Sequence, residues 1–306
     1  MKEKSKTVLI TGGSGHIGSR LTTVLLKSGY RVIWLSRRDA SVNNVTVYKW
    51  DLARKQINLQ AIEQTRIIIH LAGANIGAKR WSSKRKQEIV NSRVKSAELL
   101  LQSVQKSGQR LEAFISASAV GYYGAQTRGE AFSEEDQPSD DFLATTCRLW
   151  EEAADRFSAV AERVIKIRCG VVLDRRQGAL PKMALPVKLG IGSPLGSGKQ
   201  FVPWIHIDDI VAIYGKAVED PTMTGVYNAV APHPIKNASL LRELARVLHR
   251  PFFMPPLPAF LLKRLLGEMS GLLLEGSPVS AEKILKAGYQ FRFENLTEAL
   301  KDLCAS

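Results

Sequence analysis

Thr11-Gly12-Gly13-Ser14-Gly15-His16-Ile17-Gly18 follows the apolar run Val8-Leu9-Ile10 and opens a segment, Ile17 to Lys27, whose apolar residues recur at helical spacing. The order is strand, glycine turn, helix. Gly12 permits a tight turn, Gly15 lets backbone approach a pyrophosphate, and Gly18 allows close packing of helix on strand. The helix N-terminus adds free N–H groups and the positive end of a dipole. Gly12, Gly13, Ser14, Gly15, His16 and Ile17 are therefore expected to cradle the phosphates of a nucleotide.

Outward from this turn, the chain alternates short apolar runs with amphipathic segments as far as residue 174. Runs at Val8–Ile10, Val32–Leu35, Val45–Trp50, Ile67–Leu71, Ala113–Ile115 and Val164–Ile167 read as strands. His16–Ser28, Leu59–Gln64, Ser83–Lys106 and Phe142–Ala161 read as helices between them. Such alternation predicts an α/β fold, a Rossmann-like doubly wound parallel sheet with helices on both faces. After Val172, glycine and proline become frequent. A helix over Asp208–Val218 with Asp208 as its cap, a strand at Val226–Ala229, and helices at Ala238–Leu248, Ala259–Leu274, Ser280–Ala287 and Leu296–Leu303 follow. This predicts a nucleotide domain over 1–174 and a smaller C-terminal substrate lobe over 175–306. Segments around 200–230 are expected to return to the first domain, and 250–306 to form a helical end.

The composition, 45% hydrophobic and 24% charged, is that of an ordinary globular chain. No apolar stretch is long enough for a membrane span, and the charged start lacks the apolar core of a signal peptide. Three cysteines, Cys147, Cys169 and Cys304, have no metal-like spacing, so the expectation is a reducing cytoplasm and no metal site. Forty-three basic against 29 acidic residues give a net charge of +14. The basic residues are scattered and no nucleic-acid motif accompanies them, so an anionic cofactor or small-molecule substrate is the expected partner rather than nucleic acid.

The end of the second strand selects the cofactor. An acidic residue there would bond a ribose 2′-hydroxyl, whereas this chain reads Ser36-Arg37-Arg38, with Asp39 following. Arginine's planar fork suits a phosphate and Ser36 adds a hydroxyl, so NADP(H) is preferred over NAD(H).

Thr11-Gly12-Gly13-x-Gly15-x-x-Gly18 resembles the extended and atypical short-chain dehydrogenase/reductases of the NAD(P)-dependent epimerase/dehydratase superfamily. Asp51-Leu52 resembles the acid–apolar pair beside the adenine. His70-Leu71-Ala72-Gly73-Ala74 resembles the stretch lining the cofactor's centre, and Ile115 to Gly124 resembles the serine-rich end of the fifth strand. The resemblance implies Ser118 as the active-site hydroxyl, and Leu71, Ala72, Gly73, Ser92, Ser116 and Arg148 as further cofactor contacts. Lys79-Arg80-Trp81, Ser92-Arg93-Val94, Trp150-Glu151, Gly196 to Gln200, Trp204 to Asp209 and Ala287 to Phe291 are similar to a narrower "epimerase family" subgroup with an extra C-terminal domain of unassigned function.

Short-chain dehydrogenases carry Tyr-x-x-x-Lys on the helix after the fifth strand, where lysine lowers the tyrosine pKa. Spacing of four would place both on one helix face. Four residues after each of the seven tyrosines stand Trp34, Leu52, Gln126, Thr127, Val218, Ala231 and Phe293, none of them lysine. Alignment of the helix puts Leu143 or Ala144 at the tyrosine position and Cys147 or Arg148 at the lysine position. Tyr122 and Tyr123 are alternative proton donors, or else packing aromatics. Cys147 is a nucleophile or a buried small hydrophobe, and His206 a catalytic or structural group. Arg80, Trp81, Lys199 and Gln200 are expected around the substrate pocket. Two functions remain open: an NADP-dependent hydride-transfer enzyme, oxidoreductase or epimerase, and a non-catalytic NADP(H)-binding sensor or scaffold. A homodimer is compatible with either.

Overall fold

In the computed structural model, residues 6–37 and 42–305 are described. The strands are β1 (Thr7–Thr11), β2 (Arg31–Ser36), β3 (Val45–Asp51), β4 (Gln56–Ile57), β5 (Ile67–His70), β6 (Leu111–Ala119), β7 (Ala161–Cys169), β8 (Val171–Leu173), β9 (Phe201–Val202), β10 (Trp204–His206), β11 (Gly225–Ala229) and β12 (Ile235–Lys236). The helices are α1 (His16–Lys27), α2 (Leu59–Glu63), α3 (Ser83–Ser107), α4 (Phe142–Asp155), α5 (Ala179–Lys188), α6 (Ile207–Glu219), α7 (Asn237–Val247), α8 (Ala259–Leu266), α9 (Gly271–Leu274), α10 (Glu282–Lys286) and α11 (Leu296–Cys304).

Among the described residues one sheet runs β11-β7-β6-β5-β1-β2-β3-β4, parallel except where β4 turns back on β3. The strand order reverses direction between β1 and β5, the crevice where a doubly wound sheet takes its ligand. Alternation along the strands builds two cores. Val8, Ile10, Val32, Ile67, Ile69 and Ile115 face Leu21 and Leu25 of α1 and Ile210 and Ile213 of α6. Leu9, Ile33, Ile68 and Phe114 face Leu100 and Val104 of α3 and Ala153 and Ala154 of α4. The doubly wound fold expected from the alternating runs is therefore present. β11 lies beside β7 in the main sheet, and α6 packs in the core that also holds α1, so the chain returns to the nucleotide domain after an excursion through α5, β9 and β10.

Helix ends differ from the sequence expectations in physically legible ways. The helix starting at Phe142, N-capped by Asp141, stops at Asp155, and a 3-10 turn (Arg156–Ala159) leads straight into β7. The Ala259–Leu274 segment breaks at Gly267, whose φ of 62° suits glycine, into α8, a 3-10 turn and α9. α5 forms in the glycine- and proline-rich stretch after Val172, for which the sequence gives no element. Pro181 sits in its first turn, where no N–H is needed, while Pro186 lies further along. The cap of α6 is His206, whose Nδ1 accepts the Asp208 amide at 3.1 Å, rather than Asp208 itself.

Candidate functional site

β1 ends in Thr11 and turns at Gly12, which adopts φ 72° and lies so close to β5 that a Cβ would stand 3.1 Å from the Leu71 carbonyl carbon and the Ala72 nitrogen. A Cβ on Gly13 would enter the ring of Trp34. Gly18 packs on the turn itself, a Cβ there falling 2.8 Å from Gly13 Cα, so its role is to bring helix onto turn rather than helix onto strand. Gly15 is the N-cap of α1 and supplies no side-chain cap. The first-turn amides of α1 thus lack a side-chain acceptor, the arrangement that receives phosphate. Ser14 is exposed beside them. The His16 ring turns away to Asp174, with Nε2 3.3 Å from Oδ2. Asp174 also binds Arg20 at 2.7 Å. Burial opposes its charge, yet the Arg176 amide, His16 and Arg20 hold its carboxyl below the usual range.

At the end of β2, Ser36 is half-buried and Arg37 exposed, while Arg38 lies outside the described residues. The Asp51 carboxylate accepts the Ala53 and Arg54 amides at 2.9 and 3.1 Å and so shapes the turn after β3. Leu52 packs beside it on the α3 side of the sheet.

β5 delivers a buried polar chain. His70 stands 2.7 Å by Nδ1 from Thr11 Oγ1 and 3.0 Å by Nε2 from Ser96 Oγ. Ser96 donates its proton to the Ser92 carbonyl at 2.7 Å, which leaves it to accept from His70 Nε2–H, so Thr11 donates to Nδ1. Burial lowers the His70 pKa to about 4, which keeps the ring neutral. Thr11 Oγ1 then accepts the Ala72 amide at 3.2 Å. Ser92 accepts the Ala74 amide at 2.9 Å. Leu71, Ala72 and Gly73 are fixed in this way beside the glycine turn.

β6 carries the serine-rich stretch. Ser116 and Ser118 are buried and face α4. Ser118 donates to Glu151 Oε1 at 2.6 Å, and Glu151 grips Arg168 of β7 through two bonds of 2.8 and 2.9 Å. Arg168 donates to the Tyr123 hydroxyl at 3.0 Å, which donates to Asn228 at 2.7 Å. Burial pushes the Tyr123 phenol up to about 12, against the pull of Arg168, so Tyr123 is a poor proton donor near neutrality. Ser118 and Tyr123 belong to this closed network. Tyr122 differs: half-buried, it lies with its ring face 3.4 Å from the Arg168 guanidinium carbon.

Of the α4 residues expected at the Tyr-Lys positions, Leu143 and Cys147 lie toward the end of β6. A Cβ on Gly121, just past β6, would lie 3.5 Å from Leu143 Cβ and 3.7 Å from Cys147 Sγ. Burial raises the Cys147 thiol to about 12, so it is an uncharged small hydrophobe. Ala144 is core, and Arg148 lies on the outer face, bonded to Glu152 at 2.7 Å. Arg148 therefore does not face the cleft, because the helix turn that places Cys147 inward places its neighbour outward.

Arg80 and Trp81 stand at the rim. Arg80 lies against Gly267, and the Trp81 ring meets Phe142 edge-on at 5.0 Å while its indole donates to the Ile76 carbonyl. Lys86 of α3 pairs with Glu268, which joins the nucleotide domain to the C-terminal part. Lys199 is exposed. Gln200, by contrast, is only 2% exposed and donates to the Leu195 and Leu273 carbonyls, so it ties a loop down instead of facing a ligand.

Trp204 to Asp209 dock the chain's C-terminal segment. Asp209 is fully buried and accepts the Tyr289 hydroxyl at 2.7 Å and the Arg292 and Phe293 amides at 2.8 and 3.1 Å. His206 stacks on Phe293 at 3.8 Å. Sequence reasoning missed this clamp, the Glu151–Arg168 pair and the inward Arg93, since each joins residues from separate elements.

The chain belongs to the NAD dependent epimerase/dehydratase family, whose model matches residues 8–229. A domain of unknown function matches residues 257–303. It is 36% identical over 301 residues to the epimerase family protein YfhF of Bacillus subtilis, covering 97% of this chain and 98% of that one. It is 36% identical to the bovine (Bos taurus) epimerase family protein SDR39U1, covering 97% and 99%. Among solved structures, human epimerase family protein SDR39U1 with NADPH superposes with a TM-score of 0.84 at 32% identity, over 97% of this chain and 98% of that one.

Proposed function

We propose that this protein binds NADP(H) across the β1–β5 crevice and transfers hydride to or from a small anionic or sugar-like substrate, as an oxidoreductase or epimerase. The observation that carries the reading is the uncapped N-terminus of α1 behind a turn whose glycines leave no room for a Cβ. The backbone of Gly12 to Ile17 holds the pyrophosphate. Ser36, Arg37 and Arg38 receive the adenosine 2′-phosphate, and Asp51 and Leu52 border the adenine. Leu71, Ala72 and Gly73, held by Thr11 and Ser92, line the centre, and Ser116 buttresses β6 behind it. The human relative's NADPH and Arg37's exposure support the phosphate preference. When bound, the nicotinamide supplies or accepts hydride at C4.

The substrate side is bordered by Arg80, Trp81 and Lys199, which offer cations and a stacking face to an anion. Since Leu143 and Cys147 stand where the Tyr-Lys pair would be, the phenol of Tyr122 is the remaining proton donor near the end of β6. Ser118 and Tyr123 support the site through the Glu151–Arg168 network and do not move protons.

That closed network, together with Leu143–Cys147, favours a second reading, a non-catalytic NADP(H) sensor. Titration with NADPH and NADH, followed by nicotinamide fluorescence, tests the cofactor reading. NADPH should bind more tightly, and Arg37→Ala/Arg38→Ala should abolish the preference. Failure of both dinucleotides to bind would refute either function. Oxidation of NADPH by any of a carbonyl panel, slowed at least tenfold in Tyr122→Phe, would separate enzyme from sensor.

A further inference from the structure

α4 offers the crevice no cation, and α3 offers one. Arg93 is partly buried, and loss of water lowers its pKa. Its Nη1 donates to the Ile89 carbonyl at 2.9 Å and the Ala74 carbonyl at 3.2 Å, and its guanidinium carbon lies 4.9 Å from the centre of the Trp150 ring. A Cβ on Gly73 would stand 3.0 Å from that carbon, and Gly73 is exposed. Among the described residues no carboxylate pairs with it. Arg168 has Glu151 and Lys166 has Asp155, whereas Arg93, like Arg163, is held by backbone carbonyls with no ion pair among the described residues. Carbonyls and an aromatic face offset only part of the cost of desolvating a guanidinium.

Its place in the sheet says what it meets. From β2 through β1 to β5 and β6, the crevice passes from Arg37, to the α1 amides, to Gly73, to Gly121. A dinucleotide with its 2′-phosphate at Arg37 and its pyrophosphate on α1 therefore brings its nicotinamide riboside to the β5–β6 side. There Arg93 lies against Gly73 and Ala74, close enough to Cys147 for its charge to act on the thiol.

We propose that Arg93 is the fixed cation of the nicotinamide half of the crevice and makes the site select reduced over oxidised cofactor. This rests on the NADP(H) reading above. The oxidised ring carries a positive charge that the reduced ring lacks, and the rest of the two molecules is alike. Like charges in a partly desolvated crevice repel, so the penalty falls on the oxidised form alone, by about tenfold or more at the low effective dielectric of such a site. Arginine stays protonated at all physiological pH, so the preference does not titrate away. Arg93 is a positioning and selectivity residue and exchanges no proton.

Calorimetric titration of the full chain with NADPH, NADP+ and adenosine 2′,5′-bisphosphate tests this. The bisphosphate lacks the nicotinamide half and reports the adenine side alone. Wild type should bind NADPH at least about tenfold more tightly than NADP+. Arg93→Met should bring that ratio within about threefold and leave the bisphosphate affinity within twofold, whereas Arg93→Lys should keep most of the ratio. A wild type that binds both dinucleotides equally overturns the proposal, and that measurement requires no variant. An Arg93→Met protein that retains the wild-type ratio, or weakens all three ligands alike, overturns it too and assigns Arg93 to packing. A wild type that binds none of the three refutes the cofactor reading itself.

Discussion

Glu151→Gln is the substitution that separates a structural from a catalytic role for the serine-rich end of β6. Glu151 and Arg168 are 6% and 2% exposed, and the carboxylate takes both guanidinium bonds and the Ser118 hydroxyl. Burial opposes the Arg168 charge, and Glu151 more than offsets it, holding the guanidinium ionised. The amide is nearly isosteric and its oxygen can still accept from Ser118 and Arg168 Nε, so the change removes the charge and sets an NH2 group against Arg168 Nη2 in place of the second oxygen. A buried guanidinium without its counter-ion costs about 3–5 kcal/mol. At roughly 2–4 °C per kcal/mol for chains somewhat smaller than this one, the apparent Tm should fall by about 10 °C. Replacing both partners by apolar residues, Glu151→Leu/Arg168→Met, removes the stranded charge and should recover at least half of that loss. Thermal melting followed by circular dichroism measures all three proteins, and NADPH titration at 20 °C follows those that fold. Glu151→Gln should bind NADPH as wild type does. A Glu151→Gln melt within about 2 °C of wild type, or a double variant less stable than Glu151→Gln, would refute the account of a buried pair.

Three further outcomes follow from the geometry. His70 has a folded pKa of about 4 against 6.5 for the free side chain, so the unfolded chain binds the proton more readily. Its contribution is complete above pH 6.5 and is lost as the pH falls toward 4, about 3 kcal/mol in all; urea unfolding at pH 7 and pH 4.5 should show the loss, and His70→Gln should flatten the profile across that window. Asp209→Ala leaves the Tyr289 hydroxyl only the Asp209 carbonyl and takes the acceptor from the Arg292 amide and the buried Phe293 amide, an unsatisfied buried group costing about 1–3 kcal/mol, so limited proteolysis should cut the C-terminal segment much faster than in wild type; an unchanged digestion pattern would count against the clamp. Gly18→Ala forces a methyl group onto the Gly12 carbonyl and Gly13, and it should weaken NADPH binding by at least tenfold in fluorescence titration, whereas equal affinity would mean that the turn relaxes without consequence.

Much of this architecture is legible in the sequence. The glycine turn, the six apolar runs of the first domain and the strand at Val226–Ala229 all rest on local signals: period, glycine placement and length. Arg148 and Cys147 show where such signals end. The sequence allows either at the lysine position, because helix phase shifts by one residue with the alignment; in the structure Cys147 packs toward Gly121 and Arg148 is exposed. Ser118 is expected as the active-site hydroxyl and Gln200 at the substrate pocket, and residue type says nothing of the burial that the structure gives both. Their partners, Glu151 and Leu273, lie far along the chain, and no spacing rule connects them. α5 carries no clear local signal: Pro181 sits in the first turn, where proline is tolerated, but Pro186 lies inside the helix.

Asp209 leaves the ribosome well before Tyr289, Arg292 and Phe293. Until those residues arrive, the Asp209 carboxylate has water for its donors, and the part of α6 that they cover stays open. The packing around the start of α6 is therefore completed last, by the end of the chain.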